Sequence, residues 1–192
     1  MKINSPVGIA AVVVVGASIL WFALGASGLL MIKWPFPQRA DVFLTIKDDK
    51  LVIDAATGNA ANCPAGEKKG CIRVSKWRKA HVRFLLHKMD GWEFSKIQLV
   101  AEPTAKLDFG NQAGFTQNMI DDFYVKINNT KQYPDTNGII DLTGLKKGGE
   151  FKLIDHNKFK QTYSYQIRAC NTAVNTPDCK NSDPKIINEG KH

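Results

Sequence analysis

Catalytic signatures are missing from this chain. It has no Gly-x-Ser-x-Gly elbow, its 4 histidines are scattered, and no serine or unpaired cysteine stands near them as a partnered nucleophile. That excludes a triad hydrolase of ordinary pattern, and the reading is of a protein that is not an enzyme. Metal signatures are missing too. The 4 cysteines lack the C-x₂₋₄-C spacing of zinc sites. His81 and His87 fall on one face of a strand but lie about 20 Å apart at roughly 3.3 Å per residue, too far to share an ion. Met89 and Met119 are isolated, so a blue-copper set is absent as well. Residues 135–141 hold part of a calcium loop but lack a further oxygen ligand before Gly138 and a later bidentate Glu. They read instead as an Asn137-Gly138 hairpin turn. No cofactor is expected.

A further absence is of charge. Residues 7–32 contain no Asp, Glu, Lys or Arg. As a helix this run of about 26 residues is about 39 Å long at 1.5 Å per residue, enough to cross a hydrocarbon layer roughly 30 Å thick. It reads as an N-terminal transmembrane helix over residues 1–33, a signal anchor. The alternative is a cleaved signal peptide, since Ala23-Leu24-Gly25 satisfies a small-x-small rule and cleavage near Gly25 would free the rest; a signal core is only about 7–15 residues long, which favours the anchor. A buried soluble helix is a third reading. Ala11, Ser18 and Gly25 recur every seven residues, share a helix face and would let another helix approach closely. Trp34, beside Lys33, suits the interface.

The rest of the chain is polar and basic. All 18 acidic residues and all but one of the 26 Lys and Arg lie after residue 32, leaving that part at about +7. Such a charge favours anionic protein or lipid surfaces. Cys63 and Cys71, and Cys170 and Cys179, bracket two turn-rich stretches. Of the three pairings four cysteines allow, the two local ones are favoured, and they imply an oxidising compartment. Lys33, Arg39, Lys47 and Lys50 come after the helix while only Lys2 and the α-amine precede it, so the positive-inside rule would put the domain in the cytoplasm. The cysteines argue the opposite and are weighed more heavily: N-terminus in the cytoplasm, domain outside.

Residues 34–41, with Pro35 and Pro37, form a stiff spacer. From Val42 the hydrophobic period is two. Eight or nine short strands with turns about every ten residues predict an all-β antiparallel sandwich over residues 42–192. Trp92 and Phe94 share one face and Ile97 and Leu99 the other, so a bulge is expected near Ser95-Lys96. No helical period appears after residue 33, and residues 102–121 read as a long loop. Lys76-Trp77-Arg78-Lys79 interleaves cations with an aromatic. It suits a partner protein or lipid headgroups, or else a solvated turn at a sheet edge; nucleic acid is not expected. Asn128-Asn129-Thr130 fits a glycosylation rule that matters only in a eukaryotic secretory pathway.

Residues 162–171, reading TYSYQIRACN, resemble the penultimate strand of fibronectin type III and related immunoglobulin-like domains. The resemblance implies an immunoglobulin-like sandwich in which Tyr163 or Tyr165 is the corner tyrosine. The ending DPKIIN (183–188) resembles those of small exported bacterial proteins. Together these imply a sandwich in an exported bacterial setting, and no activity; with the anchor and the cysteines, the expectation is a periplasmic domain on a bacterial inner membrane. The function expected is that of a non-catalytic accessory subunit of a larger membrane complex. The alternative is a free-standing periplasmic ligand-binding or carrier module, with a pocket beside Trp77, Trp92 and the long loop.

Overall fold

The computed structural model describes residues 36–67, 69–87, 90–102, 109, 117–146, 148–182 and 185–190. Among these, no helix is long and apolar enough to cross a membrane. The apolar run, with Ala11, Ser18 and Gly25, lies outside the described residues, as does Trp34.

The strands are β1 (Gln38–Lys47), β2 (Lys50–Thr57), β3 (Ile72–Val74), β4 (Ala80–Leu86), β5 (Trp92–Ala101), β6 (Phe123–Ile127), β7 (Thr130–Gln132), β8 (Ile139–Asp141), β9 (Glu150–Asp155), β10 (Lys160–Asn171), β11 (Asp178–Ser182) and β12 (Lys185–Glu189); the helix is α1 (Gln117–Asp122). One sheet runs β2-β1-β4-β9-β6-β7 and the other β3-β12-β10-β5-β8, with β11 also on β10. The sheets are mixed, not wholly antiparallel: β1 pairs parallel with β4 and β12 parallel with β3. The expected spacer is shorter than read, because β1 begins at Gln38 and its first four residues pair with residues 80–83 of β4.

Period-two alternation decides which faces meet. Val42 and Leu44 of β1, Val82 and Phe84 of β4, Tyr163, Tyr165, Ile167 and Ala169 of β10 are all buried, and they belong to one core shared by both sheets. Aromatic pairs cross between the layers. Phe84 lies edge-on to Tyr165 at 5.5 Å between ring centres, Phe94 to Phe151 at 4.8 Å, and Phe123 to Tyr163 at 4.8 Å. Each such pair adds about 0.5–1.5 kcal/mol to its area burial.

The expected bulge is present. Arg168 faces Lys96 and Ala169 faces Phe94, so Ser95 is the extra residue; its carbonyl accepts the Leu142 amide at 2.9 Å. Asp48 and Asp49 both have positive φ, the signature of a type I′ hairpin turn. Asn128 and Asn129 do the same between β6 and β7. Asn137-Gly138, by contrast, is not a hairpin. It carries the chain from β7 in one sheet to β8 in the other, held by Asp135, whose side chain accepts the Asn137 and Ile139 amides. Gly138 is required there: φ is +72° and a Cβ would fall 2.1 Å from the Leu99 carbonyl oxygen. The last strand, β12, lies between β10 and β3. The long loop ends in α1, too short to leave a helical period; residues 103–108 and 110–116 lie outside the described residues.

Both local disulfides form, Cys63–Cys71 and Cys170–Cys179. The second joins directly opposed residues of β10 and β11. Neither Tyr163 nor Tyr165 makes the short upstream bond of a corner tyrosine. Tyr165 donates to the Gly70 carbonyl at 2.8 Å, beside the first disulfide, and Tyr163 to Asp122 at 3.2 Å.

Candidate functional site

Residues 75–79, which include Lys76-Trp77-Arg78-Lys79, connect β3 to β4 at one end of the sandwich. The same end holds the starts of β1, β6 and β10 and the ends of β5, β9 and β12. Ser75 to Arg78 form a β-turn, with the Arg78 amide donating to the Ser75 carbonyl at 3.2 Å. Trp77 is third in that turn and has φ +68°. That is where a type II turn places glycine, because a bulky residue pays a steric penalty there. Trp77 is nonetheless 63% exposed, with the Lys76 ammonium 5.4 Å from its ring centre.

The turn is fixed from three sides. From β1, the Gln38 amide donates to the Lys79 carbonyl at 2.8 Å and Gln38 Oε1 accepts the Ser75 amide at 2.6 Å. From β12, Glu189 accepts the Lys76 amide and Gly190 the Trp77 amide. From below, Asn157 Nδ2 donates to the Ser75 carbonyl at 2.9 Å. Glu189 is held below the usual carboxylate range by the Lys76 amide and then by Arg73.

Asn157 belongs to a buried polar layer with Asp155, Asn188, Asp122 and Tyr163. Asp155 Oδ1 accepts the Asn157 amide at 2.7 Å and Asn188 Nδ2 at 3.1 Å. Its Oδ2 and the Asn188 Oδ1 are buried without a partner among the described residues. Burial, then the nearby Asp122, pushes the Asp155 carboxyl well above its ordinary value, and burial raises Asp122 too. A bare carboxylate oxygen in such a place is very costly, so burial there favours the protonated form. Perturbed carboxylates often mark active sites. These are fully buried, and their hydrogen bonds go to the turn-bearing loops, so their role here is to hold that end of the sandwich. Nothing in the composition singled them out, because Asp155 and Asn188 sit at strand ends where polar residues are ordinary.

A basic field flanks the turn. His81 is pushed below its ordinary value by burial first, then by Lys152, Arg39 and Lys79. Arg39 lies opposite His81 in the β1–β4 pair, and the carbonyl of Lys79, just before β4, accepts the Gln38 amide beside it. His81 and His87 stand at opposite ends of β4, and no group of three or more His, Cys, Asp or Glu converges among the described residues.

An open groove of about 780 Å³ lies nearby, lined by Arg73, Lys76, Glu102, Lys160 and Glu189 among others. It reaches Lys76 of the turn and Glu102 at the start of the long loop, and neither Trp77 nor Trp92 is among its lining residues. Trp92 is half-buried against the core at the far end of β5. No protein-family model matches the chain, and no curated protein matches it.

Proposed function

We propose that this chain is a non-catalytic, membrane-anchored protein, with a single-pass N-terminal anchor in a bacterial inner membrane and a periplasmic β-sandwich, serving as an accessory subunit of a larger membrane complex. The observation that carries it is the disulfide-closed, basic sandwich whose first strand begins six residues after a long uncharged run. The small-residue face of Ala11, Ser18 and Gly25 would seat the anchor against neighbouring helices. The domain's net positive charge would favour acidic neighbours in the complex.

Blue-native electrophoresis of gently solubilised native membranes tests this. The chain should migrate in an assembly far above its own 21.3 kDa. Migration at its own mass would overturn the accessory role.

The groove supports a second reading, a released ligand-binding or carrier module. Arg73, Lys76 and Lys160 facing Glu102 and Glu189 suit a small polar ligand. A mature N-terminus near Gly25, together with a bound small molecule in native mass spectra, would favour it.

A further inference from the structure

We propose that the end of the sandwich bearing Trp77 is a membrane-docking end, in which Trp77 enters the headgroup layer of anionic lipids while Lys76, Arg78, Lys79 and Arg39 lie over it. The inference rests on the anchored reading above and adds to it which surface faces the bilayer and which lipid it selects.

Three observations converge. The first is position. Only Lys33, Trp34 and Pro35 separate the uncharged run from Phe36, and Gln38 is tied to the Trp77 turn at both Lys79 and Ser75. The four steps from Ile32 to Phe36 span at most about 14 Å. A domain whose first strand starts that close to a bilayer cannot hold this turn far from it. The second is exposure. Phe36 and Trp77 are the two most exposed large apolar side chains described, at 71% and 63%. Trp77 keeps its exposure on left-handed backbone that glycine would occupy without penalty. A fold that needed only the turn would place glycine there; an exposed indole fits a wet, amphipathic interface.

The third is charge. Lys76 and Arg78 are the chain neighbours of Trp77, with the Lys76 ammonium 5.4 Å from its ring centre. Lys79 and Arg39 follow on the adjoining strand starts, where the Gln38 amide meets the Lys79 carbonyl. The nearest described acid at the turn, Glu189, already pairs with Arg73 and the Lys76 amide. Each cation near an anionic surface strengthens attachment by about fivefold. A neutral bilayer would use the aromatic groups but not the cations.

The test uses the full chain reconstituted into phosphatidylcholine vesicles, with or without phosphatidylglycerol, in which the acyl chains carry bromine that quenches tryptophan on contact. Wild type is compared with Trp77→Phe, which keeps Trp21, Trp34 and Trp92, and with Arg78→Glu/Lys79→Glu. The expected result is a quenched component in anionic vesicles that is absent from Trp77→Phe. It should shrink in molar salt, where the Debye length falls to about 3 Å, and in the charge-reversed variant. Equal quenching of wild type and Trp77→Phe places Trp77 away from lipid and overturns the inference, leaving the anchor intact. Quenching of Trp77 that is equal in neutral vesicles overturns the choice of anionic lipid. A chain that fails to float with the vesicles overturns the anchored reading and this inference with it. Thermal unfolding of each variant in the same vesicles confirms that a lost signal is not a lost fold.

Discussion

Trp77 is the residue at which local backbone preference and solvent exposure conflict most openly. Left-handed backbone costs a non-glycine residue about 1–2 kcal/mol, while glycine loses about 0.5–1 kcal/mol through its freer unfolded chain. Trp77→Gly should therefore leave the urea midpoint unchanged or raise it by the equivalent of up to about 1 kcal/mol. A clear fall would mean that the indole packs on the domain. Asp155 makes a different prediction. Its carboxyl is raised in the folded state, so the stability it contributes is complete below the unfolded carboxyl value, near 3.9, and is lost as pH rises through the folded value. Asp122 acts in the same direction; Glu189 and His81, both lowered in the folded state, oppose it weakly because each is only partly buried. Thermal midpoints should thus be higher at pH 4 than at pH 7, and Asp155→Asn should flatten the profile and exceed wild type at pH 7. A variant that melts lower across the whole range would show that an ionised Asp155 is needed. None of this was legible in the sequence: a left-handed Trp looks like any Trp, and burial of Asp155 depends on strands brought from distant parts of the chain.

The elements were more legible than their partners. Alternation marked β1, β4, β6, β9 and β10, and the face switch between Phe94 and Ile97 marked the bulge at Ser95, because side-chain direction is a local property. Strand pairing is not local. The parallel pairs β1–β4 and β12–β3 left no trace in periodicity, and β11 was missed because it is mostly exposed and shows no alternation. Asn137-Gly138 misled because a tight turn can cross between sheets as readily as close a hairpin. The local disulfides were legible from spacing, and their effect can be measured. Removing Cys63–Cys71 or Cys170–Cys179 by paired Ala substitution should cost about 2–3 kcal/mol each, as loops of eight or nine residues imply. Tyr165→Phe leaves the Gly70 carbonyl without its buried donor and should cost about 1–3 kcal/mol. Denaturant unfolding measures both, and a loss under about 0.5 kcal/mol from Tyr165→Phe would show that water replaces the hydroxyl.

At the scale of the whole molecule, two sequence rules disagree. The Lys and Arg beyond the uncharged run favour a cytoplasmic domain, whereas two disulfides favour an oxidising compartment. If the Trp77 end docks on the bilayer, Arg39, one of those flanking cations, serves a surface role there, and the proposed export rests on the disulfides. Protease treatment of intact spheroplasts from the native host, with alkaline washing of the membranes afterwards, tests the anchored, exported domain most directly. The sandwich should be digested without lysis, and a short N-terminal fragment should stay in the washed membrane. Digestion only after lysis, or recovery of the chain in the soluble fraction, would contradict that placement.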